Sequence, residues 1–179
     1  LEAYQAQRRS ALVGTYRGYE IVSMPPVSSG GTAVIQMLNI LEGYNLAASG
    51  AGSAATTHLL IEAMRRAYAD RARYLGDPLF NPSLPIDRLT SKDYAERLRR
   101  TITLERASVS SPESFVWPDE GQETTHVSVV DHARNAVSLT YTLEQGYGAK
   151  ITVPGGGFLL NNEMGDFNAA PAMTTDTGL

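Results

Sequence analysis

The feature that most constrains the fold is a pair of β-type runs at residues 124–131 and 135–143, joined by a short polar loop. Two such runs around a loop predict a β-hairpin. If the loop is centred on Ala133, facing residues have numbers that sum to 266, and apolar side chains then meet on one face. A slip of one residue would mix apolar and polar side chains on both faces, so the pattern favours this register. The pattern alone leaves a two-residue slip open.

The other face of the predicted hairpin is polar. Thr124 lies opposite Thr142 at its open end, and His126 lies opposite Thr140 one pair further along. Strand alternation directs Thr125 to the opposite face. Two threonines side by side have two interpretations, a nucleophile with a positioning hydroxyl or ordinary β-branched strand residues. For His126 a structural role is the favoured interpretation.

Several short motifs elsewhere in the chain belong with this hairpin. They follow one another in a fixed order, as MPPVSSGG (24–31), YAD (68–70), YLGDP (74–78), TTHVSVVD (124–131), NAVSLTYTLEQGYG (135–148) and LLNNEMGDFNAAP (159–171). Taken together, the chain from about Gly18 to Pro171 resembles the γ-glutamyltranspeptidase family of N-terminal nucleophile hydrolases.

The resemblance implies a fold and a division of the chain. The fold class it implies is α+β, as part of a four-layer αββα sandwich. Residues 1–103 would form the helical part of the large-subunit region, and residues 124–179 the start of the small-subunit β region. Residues 104–123, rich in serine and acidic side chains, are predicted to be a mobile linker that ends at a cleavage site.

The chemistry of threonine explains why a cleavage site is needed. A threonine hydroxyl is a weak nucleophile unless a base lies close by, and an N-terminal threonine supplies that base through its own α-amine. In this chain Thr124 follows Glu123 through a peptide bond. We therefore hypothesise that the Thr124 hydroxyl attacks the carbonyl of Glu123, so that the chain cleaves itself and frees the amine.

The resemblance also assigns the remaining site residues. It implies that Thr142 assists the nucleophile, and that Glu163 and Asp166 bind the α-ammonium group of a γ-glutamyl donor, with help from Glu144. Carboxylates facing an ammonium form charge-assisted hydrogen bonds and select against acyl groups without the amine. Some family members carry asparagine where this chain has Glu144. Acidic residues near loops are otherwise usually solvated, and no spacing here predicts a metal site.

The function implied is γ-glutamyl transfer or hydrolysis through a Thr124 ester. The expected partners are a donor such as glutathione, water or an amino acid or peptide as acceptor, and the remainder of the same precursor. The chain contains no run resembling the family's Pro-Leu-Ser-Ser or Gly-Ser-Pro-Gly-Gly motifs, so we expect it to be inactive alone. The alternatives are a related acylase of cephalosporin or poly-γ-glutamate type, a non-catalytic unprocessed interaction domain and, more distantly, a carboxylate-pair glycosidase.

Composition narrows the partners further. A net charge of -4 argues against a nucleic-acid partner, which requires a basic patch. The absence of cysteine excludes disulfides and thiol nucleophiles. No cofactor or metal is predicted. An extracytoplasmic location, periplasmic or secreted, is expected from the family resemblance only.

Local patterns predict the other elements. Residues 1–15 suggest the end of a helix with a turn at Gly14, and residues 157–161 an apolar strand. Three helices are expected, at 32–42 with a cap at Ser29 or Thr32, from Thr56 or Thr57 to 75, and from a Ser91 cap to 101. The inward stripe predicted for the second helix consists of Leu60, Met64, Ala67, Tyr68 and Tyr74 or Leu75. Its arginines are expected on a solvated face: Arg65, Arg66, Arg71 and Arg73.

Overall fold

The computed structural model describes residues 5–109 and 124–163 of the chain, which contain both helices and strands. These two ranges belong to separate compact units. We call residues 5–109 the helical unit and residues 124–163 the hairpin unit. The predicted mixture of helix and strand is confirmed, while residues 110–123, most of the predicted linker, lie outside the described ranges.

The helical unit begins with strands rather than with the predicted helix end. Strand β1 (Leu12–Tyr16) pairs antiparallel with β2 (Tyr19–Ser23). The turn between them uses Arg17 and Gly18, both at positive φ. The helix prediction was wrong because residues 12–16 alternate between half-buried and exposed positions, which is the period of a strand.

Helix α1 (Gly30–Leu41) is buried on several sides, as its apolar composition predicts. The first hairpin packs against it, and a Cβ atom at Gly14 would come within 2.7 Å of Ile35. This close approach is the reason for glycine at position 14. The predicted side-chain cap is absent, because the residue that precedes the helix, Ser29, makes no capping hydrogen bond.

The other helices of this unit are α2 (Leu46–Ser49), α3 (Ala54–Tyr74), α4 (Ile86–Leu89) and α5 (Lys92–Arg99). The Ser91 side chain caps α5 as predicted, accepting a hydrogen bond from the Tyr94 N–H at 3.2 Å. Helix α3 starts earlier than predicted, because Ser53 rather than Thr56 or Thr57 caps it. The core joins α1, α3 and α5 through Ile40, Leu41, Leu59, Ala63 and Ala95.

The predicted inward stripe of α3 was only partly right. Ala67 is buried, but Leu60 and Met64 are 42% and 45% exposed. The buried face instead includes Glu62 and Asp70, together with the small and apolar residues of the core. Because two carboxylates lie on the inward face, a search for apolar periodicity alone places that face incorrectly.

The hairpin unit contains β3 (Thr124–Val130) and β4 (Ala136–Thr142). Their register runs from Thr124 opposite Thr142 to Val130 opposite Ala136, so the predicted sum of 266 is confirmed. In the loop, the Asp131 carboxylate accepts hydrogen bonds from the Ala133 N–H and from both the backbone and side chain of Asn135. The hydrogen bonds from Asn135 and Ala133 favour the ionised carboxylate and so lower the pKa of Asp131.

Beyond β4 the chain returns toward the hairpin without forming the predicted strand. A single antiparallel bridge joins Thr152 to Leu159. Gly155 and Gly157 adopt positive φ in the loop between them. The predicted strand at 157–161 is thus reduced to this bridge and the hydrogen bonds beside it, such as that from the Leu160 N–H to the Ile151 carbonyl at 2.9 Å. Among the described residues, no helix is long and apolar enough to cross a membrane.

Candidate functional site

Thr124 and Thr142 meet at the open end of the second hairpin. The Thr124 hydroxyl donates a hydrogen bond to Thr142 Oγ1 at 3.2 Å. Thr124 is exposed, whereas Thr142 is half-buried. The two hydroxyls face one another because they form the last pair of the ladder, with neither side chain displaced by a bulge.

Thr142 Oγ1 has a second hydrogen-bond donor. The Glu144 backbone N–H donates to it at 3.0 Å, which closes a short turn between a side-chain oxygen and the N–H two residues later. Glu144 adopts a φ of 70°, in the left-handed region. Thr124, Thr142 and Glu144 are therefore linked through a single oxygen atom.

His126 lies on the same face, one pair away from the threonines. Its Nδ1 atom is 2.8 Å from the Thr140 hydroxyl, and its Nε2 atom is 3.1 Å from the hydroxyls of Ser128 and Ser138. Both ring nitrogens thus have partners on the hairpin itself. This arrangement connects the two strands and supports a structural role.

The loop after β4 brings Glu144 and Glu163 to neighbouring stretches of backbone. The Asn162 N–H donates to the Leu143 carbonyl at 3.2 Å. The residues that follow these two are Glu163 and Glu144, respectively. Asp166, the third predicted carboxylate, lies outside the described residues.

Three side-chain acceptors in this region are shielded from solvent. They are Glu144 Oε2, Asn162 Oδ1 and Glu163 Oε1, and none has a hydrogen-bond partner among residues 5–109 and 124–163. A shielded acceptor without a donor is energetically costly. Asn162 was not singled out in the sequence, although its position directly before Glu163 is the signal that points to it.

Two buried carboxylates of α3 were also missed, and they behave differently. The Glu62 carboxylate is fully buried and accepts hydrogen bonds from the backbone N–H and hydroxyl of Ser108, at 2.8 and 2.5 Å. Arg66 pairs with it at 2.6 Å. Burial opposes ionisation, but the bonds from Ser108 and Arg66 outweigh it and lower the pKa of Glu62 to about 2.

Arg66 is consequently not on a solvated helix face. Its side chain is 12% exposed, and its guanidinium also bonds the hydroxyl and carbonyl of Thr101, each at 2.8 Å. The spacing of Glu62 and Arg66, four residues apart on a helix, was the available signal. The grouping ties residues 101–108 to α3, which is a structural task.

The second carboxylate, Asp70, is held by two neutral donors. It accepts from the Gln36 side-chain amide at 2.5 Å and from the Tyr94 hydroxyl at 3.1 Å. Burial raises the pKa of Asp70, and the two hydrogen bonds offset only part of that effect. Burial likewise raises the pKa of Tyr94 to about 12, and the neighbouring Asp70 adds to the shift.

No group of three or more His, Asp or Glu side chains in the two described ranges is arranged to hold a metal ion. The chemistry available at the open end of the hairpin is that of a hydroxyl pair joined to the backbone of Glu144. Such a group can attack a carbonyl carbon if a base accepts the hydroxyl proton. The neighbouring carboxylates suit a cationic group on the substrate.

Comparison with known proteins identifies the family of the chain. The gamma-glutamyltranspeptidase family model matches residues 1–179. The chain is 45% identical to a glutathione hydrolase proenzyme of Pseudomonas sp. (strain A14) over 180 residues, covering 100% of this chain and 31% of the relative. It is 43% identical to an acylase ACY 1 proenzyme of Pseudomonas sp. (strain V22), covering 96% of this chain and 30% of that protein.

A solved structure gives the same grouping. The crystal structure of Helicobacter pylori gamma-glutamyltranspeptidase matches with a TM-score of 0.57 and 45% sequence identity. The match covers 68% of this chain and 34% of the solved one. The chain therefore spans about a third of the length of the proteins it matches.

Proposed function

Because the chain belongs to the γ-glutamyltranspeptidase family, we propose that it is part of an enzyme that transfers the γ-glutamyl group of glutathione and related amides. The acceptor is water or the amine of an amino acid or peptide. The observation that carries the proposal is the Thr124–Thr142 hydroxyl pair at the open end of the hairpin, with an oxygen–oxygen distance of 3.2 Å.

The reaction proceeds through an ester on Thr124. The free α-amine of Thr124 accepts the proton of its own hydroxyl, and the oxygen attacks the γ-carbonyl carbon of the donor. The new carbon–oxygen bond replaces the amide carbon–nitrogen bond, and the proton passes to the departing amine. Water or an acceptor amine then attacks the ester and restores the hydroxyl.

Activation requires the α-amine to be released first. In the uncut chain, that nitrogen is part of the Glu123–Thr124 peptide bond and has no basic lone pair. The Thr124 hydroxyl attacks the Glu123 carbonyl, a new ester C–O bond replaces the peptide C–N bond, and the hydroxyl proton ends on the freed Thr124 nitrogen. Water then hydrolyses the ester to the Glu123 carboxylate and restores the hydroxyl of Thr124, which is now an N-terminus. An unperturbed α-amine has a pKa of about 7.7–8.0, so a useful fraction is neutral near neutral pH.

Donor recognition falls to Glu144, Glu163 and Asp166, which bind the α-ammonium group. Support comes from the shielded oxygen atoms of Glu144 and Glu163, which have no donors among the described residues. An ammonium group carries three N–H donors and a positive charge, so it satisfies such acceptors and compensates their charge.

The rest of the precursor completes the fold and the site. We propose that the hairpin belongs to one sheet of a four-layer αββα sandwich. Both faces of the hairpin are exposed in this chain, including the apolar face formed by Val127, Val129, Val137 and Leu139. A sheet with an exposed apolar face needs a covering layer. Alone, this chain is therefore expected to be inactive.

An acylase function is the second candidate, because the relative from strain V22 carries that name. An acylase of this kind and a γ-glutamyl transferase would share the Thr124 chemistry but differ in the acyl group accepted. The two are separated by comparing a γ-glutamyl anilide with the same anilide lacking the α-amino group. Dependence on the amine favours γ-glutamyl transfer. The extracytoplasmic location stays a prediction.

The decisive experiment uses the full-length precursor. Intact mass and N-terminal sequencing should find a new N-terminus at Thr124, and a chromogenic γ-glutamyl anilide should be turned over. Thr124→Ala should abolish both. Thr125→Ala is the matched control, because the same residue type lies next in the chain on the opposite face, and it should still cleave and turn over substrate. Turnover by uncut protein, or by Thr124→Ala, would overturn the proposal in favour of a different site.

A further inference from the structure

We propose that the backbone N–H of Glu144 positions the hydroxyl that assists the nucleophile. In this view it holds Thr142 Oγ1 so that the Thr142 proton can turn toward Thr124 Oγ1 during the reaction. The inference rests on the proposed function of Thr124 as the nucleophile. It gives position 144 a role through its backbone that is separate from the role of its carboxylate.

The hydrogen bonds around Thr142 define this role. A hydroxyl oxygen has two acceptor positions and one proton to donate. In the structure, Thr142 Oγ1 accepts from the Glu144 N–H at 3.0 Å and from the Thr124 hydroxyl at 3.2 Å. Both acceptor positions are therefore occupied while Thr124 keeps its proton.

The direction of the Thr124–Thr142 bond must reverse when Thr124 reacts. Once the α-amine takes the Thr124 proton, Thr124 Oγ1 becomes electron-rich and needs a donor. The Thr142 hydroxyl can supply one by rotating only its hydrogen atom, because the Glu144 N–H still holds its oxygen. A donor that is already in place stabilises developing negative charge without a reorganisation cost.

Without the Glu144 N–H, the Thr142 hydroxyl would lose this restraint. The Thr142 side chain could then rotate, and the distance to Thr124 Oγ1 would no longer be held by two bonds. The same loss would slow the attack of Thr124 on the Glu123 carbonyl, because that step also places negative character on the Thr124 oxygen.

The backbone conformation of Glu144 contributes to the hydrogen bond between its N–H and Thr142. Its φ of 70° is unfavourable for a residue with a Cβ atom, and most unfavourable for a β-branched one. Glycine and asparagine adopt this conformation more readily. Different substitutions at position 144 all remove the carboxylate but differ in how readily they adopt positive φ. Their comparison therefore separates the effect of the backbone conformation from the effect of the carboxylate.

The most direct test deletes only the N–H group. Full-length enzyme carrying Glu144→Ala is compared with the same enzyme in which that alanine is replaced by its α-hydroxy acid, so that a backbone ester removes the donor. Loss of the carboxylate should raise KM equally in both. The ester should lower kcat about fivefold below the amide, the effect of one neutral hydrogen bond. Equal kcat values would overturn the proposal.

An ester at 144 also weakens the Leu143 carbonyl as an acceptor for the Asn162 N–H, so a control is needed. Asn162→Ala is prepared as amide and as ester, and this ester breaks the same bond from its other side. The kcat decrease from amide to ester should be smaller at 162 than at 144. Equal decreases would mean that the Leu143–Asn162 bond, not the Glu144 N–H, is responsible, and would overturn the inference.

A second set of variants tests the backbone conformation. Glu144→Gly and Glu144→Val both lose the carboxylate, but glycine favours positive φ and valine resists it. The kcat of the valine variant should therefore be about tenfold below that of the glycine variant. Equal kcat in these two variants would contradict the inference, and the amide–ester pair decides if the valine variant does not fold. Activity that persists in Thr124→Ala would instead defeat the proposed function itself, so the two failures are distinguishable.

Discussion

The helical unit and the hairpin unit differ in whether their shielded carboxylate oxygens have hydrogen-bond donors. In the helical unit, Glu62 is fully buried and each of its oxygens has a donor, from Ser108 or Arg66. In the hairpin unit, Glu144 and Glu163 each have a shielded oxygen with no donor among the described residues. A satisfied carboxylate stabilises a fold, whereas an unsatisfied one costs stability until a donor arrives. The first arrangement therefore stabilises the fold, and the second is the basis of the proposed binding role.

The largest expected effect comes from removing the satisfied carboxylate. Glu62→Ala leaves Arg66 partly buried without its anion and frees Ser108, so the protein should lose about 3–5 kcal/mol of stability. Thermal melting of the full-length protein, followed by circular dichroism, measures this. A melting temperature close to that of the unaltered enzyme would break the contrast between the two units.

Removing a carboxylate that lacks a donor should weaken substrate binding rather than stability. Glu163→Ala should raise KM for a γ-glutamyl anilide by about 30- to 150-fold, since a charge-assisted hydrogen bond to the donor ammonium contributes about 2–3 kcal/mol. Its melting temperature without substrate should not fall, because the shielded Glu163 oxygen has no hydrogen-bond partner among the described residues. A large drop in melting temperature with unchanged KM would show that Glu163 is structural instead.

Acid titration should sharpen the contrast further. The pKa of Glu62 is lowered from 4.5 to about 2 in the folded protein, so its ionised form stabilises the fold above pH 4.5. That stability, about 2–3 kcal/mol, should be lost as the pH falls from 4.5 toward 2. Unfolding in urea between pH 5 and 2.5 measures it. The curve of Glu62→Gln should be flatter, and parallel curves would contradict the assignment.

The smallest effect is expected at Asp70. Its raised pKa has the opposite sign, because the folded state favours the protonated acid. The stability from protonation is present below its ordinary value of 3.8 and is lost as the pH rises through the folded pKa. Asp70→Asn resembles the protonated acid, so it should change stability at neutral pH by only about 1 kcal/mol. A loss as large as that of Glu62→Ala would indicate that Asp70 is held as an anion.

Parts of the fold followed directly from local patterns. The register of the second hairpin was predictable because two faces of different polarity leave few ways to pair the strands. The start of α5 was predictable because a serine hydroxyl at that position satisfies a free N–H. Strand β1 was missed, because a helix end was predicted there and its pairing with β2 depends on a turn at Arg17 and Gly18.

Only part of the candidate site, likewise, could be predicted from local patterns. Thr124 and Thr142 could be brought together from sequence, because strand pairing is the only geometry required. The roles of Glu144, Glu163 and Asp166 came from family resemblance and stay predictions. The bond from the Glu144 N–H to Thr142 could not be foreseen, because it depends on a left-handed backbone conformation that glutamate seldom adopts.

By itself, the sequence determined the pairing of the two threonines and the family to which the chain belongs. The first follows from the alternation of polar and apolar residues along two strands, and the second from short motifs that occur one after another along the chain. Only the tertiary structure decided which carboxylates are satisfied. Glu62 and Ser108 are 46 residues apart, and whether such groups meet depends on how the helices and the following loop pack. A hydrogen bond between distant residues is a property of that packing, and no local pattern of residues specifies it.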